Sequence, residues 1–504
     1  MWAIAAVVKQ TTYCCLVFIE SYMKKSVSGQ RLRKLGWIIS PLTLLLLSAC
    51  ANFGQQPALE KNRDAAELQL PAGRSAQVKQ GWWQELNQPL LNDLVSKGLA
   101  NSPDIKIAAA RIAEAEAQWR GAKGAAGVQV GLQANGVAAH LSPKPKSDRD
   151  GDNPNHIFSN EMAAVAVSYT FDFWGRQSNL VKSALGMRTA AMYQQEQARL
   201  LLSQSIVAQY TQWQSLHEQT EILRQRIAIN EQLQQLVLKR IRAGLQPASD
   251  EYAITQTVLG LQSALRQTQA EMLRTRNSLA ILSGQSPDQL SGINSPNFGR
   301  TPVIAVAGLR ADILANRPDI AAQRALLRSK YFGIKSAEAA FYPNIEIKGL
   351  AGLAHVDAFD LLHSSSRMVG IIPAINLPIF TSGSLQAALS GKRSAYNEQV
   401  AQYDKTVLTA LQQAADAMSD YQQSVTAVPL QRQAWQIAQK NALASGRRQS
   451  AGLDNALTRL QREDIALSAY ADFIKTAAWQ QQSWNSLHAA LGGGFHNAEE
   501  QMTQ

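Results

Sequence analysis

Cysteine is almost missing from this chain: three in 504 residues, at positions 14, 15 and 50. That scarcity excludes a disulfide-built scaffold, so packing and association must hold the fold. Long apolar runs are also missing. Beyond residue 50 no stretch of 18 apolar residues occurs, which leaves no candidate for a membrane-crossing helix. The seven histidines, at 140, 156, 217, 355, 363, 488 and 496, show no metal-ligand spacing. Gly-x-Ser-x-Gly does not occur, and Gly492-Gly493-Gly494 lacks the Lys-Ser/Thr that would make it a phosphate loop. Enzymatic readings therefore find no support, and no cofactor is implied. Surplus charge is modest too. The formal net charge is +11, but residues 1–49 hold six Lys/Arg and one Glu, which leaves +6 for the rest. Spread over some 450 residues, that is a solubility-level charge and not a nucleic-acid footprint.

The first 49 residues form an address. Met23-Lys24-Lys25 with Arg31, Arg33 and Lys34 makes a basic segment, and Leu42 to Leu47 an apolar one. That order is a secretory signal, and its start is either Met1 or Met23. The segment ends in Leu47-Ser48-Ala49-Cys50, which resembles a bacterial lipobox. The resemblance implies cleavage before Cys50 and acylation of its thiol; a plain signal peptide with an incidental cysteine is the alternative. A covalent lipid on Cys50 would hold the chain to a membrane. Ala51 in place of Asp resembles sorting to the outer membrane.

What the chain does have is a duplication. Leu99-Ala100-Asn101-Ser102-Pro103-Asp104-Ile105 returns 215 residues later as Leu314-Ala315-Asn316-Arg317-Pro318-Asp319-Ile320. The register continues without a gap, placing Val130 on Ile345 and Leu132 on Ile347. Two large units are expected, at residues 81–295 and 296–495, after an anchored segment at 50–80 and before a tail at 496–504.

Each unit reads helix, strand, strand, helix. Helices are expected at 90–123 and 309–340. Val128, Val130, Leu132 and Ala134 alternate with polar or small residues, the period-2 mark of a strand with one apolar face. Strands are expected near 128–136, 162–171, 343–353 and 367–377, with a long loop over 137–161. Pro373 suggests an early end or a bulge in the fourth. Residues 187–243 contain neither Gly nor Pro, and Leu202, Ile206, Tyr210, Trp213, Leu216, Leu223 and Ile227 recur at coiled-coil-like spacing. That helix would be roughly 85 Å long. A second long helix, about 384–452, carries Pro429, where a kink is expected.

Strands of about ten residues can cross a bilayer when tilted. A sheet in hydrocarbon must close, and four strands cannot. Four from each of three chains make twelve, enough for a barrel with a lumen. The expected class is mainly α with membrane β: a trimeric twelve-stranded barrel on a long α-helical barrel.

Several motifs carry a family resemblance: Trp82-Trp83 with Leu86-Asn87-Gln88-Pro89-Leu90, the two Asn-x-Pro-Asp-Ile copies, and Phe171-Asp172-Phe173-Trp174-Gly175-Arg176. Ala340-Phe341-Tyr342-Pro343, Leu377-Pro378-Ile379-Phe380 and Leu491-Gly492-Gly493-Gly494 complete the set. Together they resemble outer-membrane efflux proteins of the TolC type, in the lipoprotein branch. The resemblance implies a homotrimer in the outer membrane of a Gram-negative bacterium, extending into the periplasm. Its implied partners are a periplasmic adaptor (a membrane fusion protein) and an inner-membrane pump, and its implied cargo is drugs or other small toxic compounds. A duct for type I-like protein secretion and a periplasmic coiled-coil adaptor or structural lipoprotein are the alternatives.

Two matching turns, Ala243-Gly244-Leu245 and Ala451-Gly452-Leu453, end the long helices. A left-handed glycine cap accounts for them structurally. The resemblance implies that these tips form the periplasmic gate and meet the adaptor. Family members often carry an acidic ring after the second tip; here the matching positions are the neutral Thr458 and Gln461. Asp250 and Glu251 near the first tip, and Asp454 and Arg459 near the second, remain as gate links or as a solvated face. Glu346 and Lys348, alternating with Ile345 and Ile347, should face the lumen or the barrel mouth. Trp82 and Trp83 are expected to pack the N-terminal segment onto the helical barrel.

Overall fold

The computed structural model describes residues 53–140, 157–293, 298–355 and 364–496, apart from positions 74, 77 and 307. The leader and Cys50 lie outside the described residues, as does most of the expected first-unit loop. Helices α1 (Pro89–Asn101) and α2 (Pro103–Ala125) lead to β1 (Gln129–His140) and β2 (Ile157–Phe171). A hairpin of α3 (Arg176–Arg242) and α4 (Ser249–Leu282) follows. The second unit repeats this order: one helical turn (Ile313–Asn316), α5 (Pro318–Ala339), β3 (Asn344–His355), β4 (Arg367–Asn376), α6 (Ser384–Ser450) and α7 (Ala456–Ala490).

The expected first helix of each unit is broken where the repeat peptide lies. Ser102 and Arg317 take extended backbone, each just before a proline at the first position of the next helix. The Pro ring excludes helical geometry from the preceding residue. In the first unit Ser102 also caps α2 by accepting the Asp104 N–H at 3.3 Å.

Helix α3 begins at Arg176 rather than 187, so it spans 67 residues, about 100 Å. Gly186 does not stop it. A β-carbon there would lie 2.9 Å from Cβ of Ser329 on α5, so this glycine exists to let two helices touch. Ser329 also donates its hydroxyl to the Ser183 carbonyl at 2.8 Å, tightening the same crossing. Helix α6 also spans 67 residues and runs on through Pro429 without a break.

The four strands form one antiparallel sheet in the order β1-β2-β3-β4, leaving an outer edge of β1 and of β4 without a partner among the described residues. The first three strands are longer than expected, at 12, 15 and 12 residues, and the fourth, at 10, is one residue shorter. Both β1 and β2 extend into the stretch expected as loop. Pro373 neither ends nor bulges β4: it pairs with Ile347 in a register unbroken from Asn344–Asn376 to Leu353–Arg367. A proline fits a strand with one free side because it withholds only one N–H from the ladder.

The main core lies away from both the sheet and the hairpin tips. There the Trp82–Leu86 turn and α1 pack on α3, α4, α6 and α7 through Leu91, Leu94, Ile206, Tyr210, Leu279, Tyr421, Trp484 and Leu487. Trp82 is buried, stacks on His488 and donates to Asn485 Oδ1 at 3.2 Å. Trp83 is only partly buried against the same core. Before this core, residues 53–70 run as an extended strap along α6. Arg393 donates to the Pro57 carbonyl at 3.0 Å and Asn397 to that of Ala58 at 2.8 Å, while Asp404 accepts the Arg63 N–H at 3.0 Å.

Candidate functional site

Two places bear on function, at opposite ends of the long helices. The first is the sheet. Its register assembles complete apolar rows: Val130, Val167, Gly349 and Ile371; Leu132, Val165, Ala351 and Val369. These side chains stand open, with Leu132 at 75%, Val369 at 85% and Ile371 at 76% exposure. The other face is more occluded along β2 and β4, as expected for the concave side of a curved sheet. It carries Gln129, Ser168 and Lys348 in one row, and Thr170 and Glu346 in the next. Lys348 pairs with Glu346 at 3.4 Å there, on the face opposite the apolar rows. An apolar face this continuous cannot be left to water. An apolar outside, polar groups at the base of the inner face and two unpaired edges fit the plan of a barrel segment in lipid.

An aromatic belt marks the lower rim of that sheet, and it decodes two of the sequence motifs. Asp172 follows β2 and caps α3, accepting the N–H groups of Gln177 at 3.0 Å and Ser178 at 2.7 Å. Partial burial pushes its carboxyl up, but those N–H groups outweigh it and hold it below the ordinary range. Gly175 takes a left-handed conformation at φ 75°, which turns the chain into the helix. Trp174 is thereby placed to donate to the Pro343 carbonyl at 2.9 Å and to stack on Tyr342 at 4.8 Å. The motif before β3 thus meets the motif after β2. With Phe173 and Phe380, both largely exposed, these rings form the belt that amphipathic side chains make at a membrane–water boundary. The residues were visible in the sequence, but their convergence was not.

The second place is the pair of tips. Gly244 and Gly452 adopt φ 68° and 74°, the left-handed caps expected of them. Leu245 and Leu453 beside them are exposed. Asp250 accepts from Gln246 at 3.2 Å. Asp454 accepts from Ser445 at 3.0 Å and pairs with Arg448 at 3.2 Å. The Ser445 hydrogen bond holds its carboxyl below the usual range, and the guanidinium of Arg448 adds to this. Arg459 pairs with Glu463 at 2.6 Å. Thr458 donates its N–H to Asn455 in the cap of α7, and Gln461 is exposed. These sequence-chosen contacts all stay within their own hairpin.

A charged link between the hairpins, nearer the tips, is one that sequence reasoning missed. Arg226 of α3 grips Asp464 of α7 at 2.9 and 3.1 Å, and Asn230 adds a third bond at 2.9 Å. Nothing in the sequence separates these residues from other helix-surface charges, because their partners lie more than 230 positions away. Among the described residues no helix is apolar enough to cross a membrane, and no His/Cys/Asp/Glu group could hold a metal.

A curved sheet with a lipid face, set on a shaft of helices about 100 Å long, defines the subunit of a membrane-spanning duct. The chain belongs to the outer membrane efflux protein family, whose model matches residues 94–285 and 309–493. It is similar to the antibiotic efflux pump outer membrane protein ArpC of Pseudomonas putida, at 28% identity over 92% of this chain and 96% of that protein. Among solved structures it resembles the outer membrane protein VceC of Vibrio cholerae: TM-score 0.72, 27% identity, over 83% of this chain and 100% of that one. It also resembles the Neisseria gonorrhoeae MtrE outer membrane channel, solved in its open state: TM-score 0.71, 21% identity, over 87% of this chain and 98% of that one. The expected fold class therefore holds: two helix-strand-strand-helix repeats, in the architecture whose trimer sets a twelve-stranded β-barrel on an α-helical barrel. The family is one of outer-membrane transport ducts, not a class of enzymes.

Proposed function

We propose that this protein is the passive exit duct of a tripartite efflux system. As a homotrimer it carries drugs or other small toxic compounds across the outer membrane, and it has no catalytic activity or cofactor of its own. An inner-membrane pump supplies the energy, and a periplasmic adaptor meets the hairpin tips. The unbroken apolar face across all four strands carries this reading, since only lipid covers such a face while the free edges pair with other copies. Relatives named for antibiotic and toluene efflux support the class of cargo.

We also propose that Cys50 carries a lipid. Phe53 packs edge-on against Phe341 at 4.8 Å, just before β3 begins. Three residues span at most about 10 Å, so an acyl chain on Cys50 would be tethered close to the base of the sheet, where the bilayer is expected. Labelling with palmitate that is lost in Cys50→Ser tests the anchor. For the duct, a deletion strain should become drug-sensitive, and the purified protein should run as a heat-modifiable trimer. A soluble, purely helical monomer sinks the reading. Unchanged drug sensitivity with a lost secreted protein favours the secretion duct instead.

A further inference from the structure

The hairpin tips carry far more positive than negative charge. Residues 234–254 hold Lys239, Arg240 and Arg242 against Asp250 and Glu251. Residues 442–463 hold Arg447, Arg448, Arg459 and Arg462 against Asp454 and Glu463, the latter paired with Arg459. Seven cations face four acids, a net of +3 in each chain, although the whole region after residue 49 has only +6. Half of the surplus is therefore concentrated at one end of the molecule.

The structure sharpens this imbalance. Asp454 is tied to Ser445 and Arg448, with its side chain only 14% exposed. The nearby charge of Arg462 also stabilises its ionised form. Asp250 is held by Gln246. By contrast Lys239, Arg242, Arg447 and Arg462 are exposed, and Arg448 keeps 56% of its side chain in solvent. The acids of α6 nearest in register, Asp416 and Asp420, lie about 40 to 50 Å up the helix from Arg448. That is several screening lengths at physiological ionic strength, where one length is about 8 Å.

We infer that the periplasmic mouth of the duct is an electropositive collar that favours anionic solutes. The inference rests on the duct reading above. In a trimer the collar carries three times the +3 of one chain, set around a low-dielectric opening. Such a field concentrates counter-ions by roughly tenfold or more and repels cations. The solutes it favours are carboxylates, phosphates and other anionic compounds.

The test is the reversal potential of the full lipidated protein in a planar bilayer under a potassium chloride gradient. Chloride should permeate better than potassium, and the preference should shrink as salt rises. Neutralising Lys239, Arg242, Arg447 and Arg462 together to Gln should abolish it. Lys405→Gln, about 60 Å up α6 from Arg447, should not. Replacing Arg242, Arg447 and Arg462 by Lys should preserve it, which guards against mere misfolding. A conducting channel that prefers potassium, or a preference that survives the four neutralisations, overturns the collar and leaves the duct standing. Absence of any conductance in the wild type removes the duct reading, and the collar with it.

Discussion

Acid should destabilise this fold through one residue, His488. Its ring is 2% exposed, stacked 6.1 Å from Trp82 and edge-on to Trp484 at 4.3 Å, and among the described residues neither ring nitrogen has a hydrogen-bond partner. Burial pushes its pKa down to about 3 from an ordinary 6.5. The folded state therefore holds a neutral imidazole, whereas the unfolded chain binds a proton below about pH 6.5. Stability from this group is complete above that pH and is lost as pH falls toward 3. The slope approaches about 1.4 kcal/mol per pH unit, so near pH 4 each chain should have lost about 3 kcal/mol. His488→Phe keeps a planar ring and removes the proton site, at a cost of about 1 kcal/mol or less near neutrality. Thermal unfolding followed by helical circular dichroism, at pH 7.5 and pH 4, reads the difference. The wild type should lose markedly more stability than the variant on acidification. Equal losses in both proteins would falsify the assignment and shift the acid sensitivity to carboxylates elsewhere.

Three further outcomes follow from the same geometry. Leu132→Arg should impair barrel assembly by about 2–4 kcal/mol if that face meets mid-bilayer; an unchanged heat-modifiable band would mean that the face meets water. Gly186→Val should destabilise by about 1–3 kcal/mol through the α3–α5 contact, seen as a lowered melting temperature; an unaltered one would show that the helices can part freely. Asp454→Ala releases Arg448 and Ser445 at the second tip, and single-channel conductance should rise; unchanged conductance would mean that Asp454 is no latch.

The tip residues show where sequence reasoning stopped. Gly244 and Gly452 were legible because a helix stop and a glycine are neighbours in the chain. Asp250, Asp454 and Arg459 were legible as charges near a turn, and the structure gives each a partner within 4 to 9 residues. Arg226, Asn230 and Asp464 form a charged bond between hairpins, yet helical periodicity makes them look like solvated surface. Arg317 is intermediate. It is the one mismatch in the repeated peptide, where the first copy has Ser102. Its buried guanidinium binds Asp319, Gln413 and the Ala490 carbonyl at the end of α7. The mismatch could have flagged it, but not its partners.

By itself, the sequence determined what local periodicity determines. The duplication, four strands with one apolar face, two helices too long for a globular domain and the glycine tips are all encoded within a few residues of one another. Strand alternation depends on the pleat and helix spacing on the turn, so neither needs a distant partner. Only the tertiary structure decided that Gly186 lies inside a helix, because its reason is Ser329, 143 positions on. It alone joined Trp174 to Tyr342 and Pro343, laid the N-terminal strap on α6, and buried His488 between two tryptophans. Those features rest on long-range packing, in which one residue's role is set by a neighbour that its own stretch of chain does not specify.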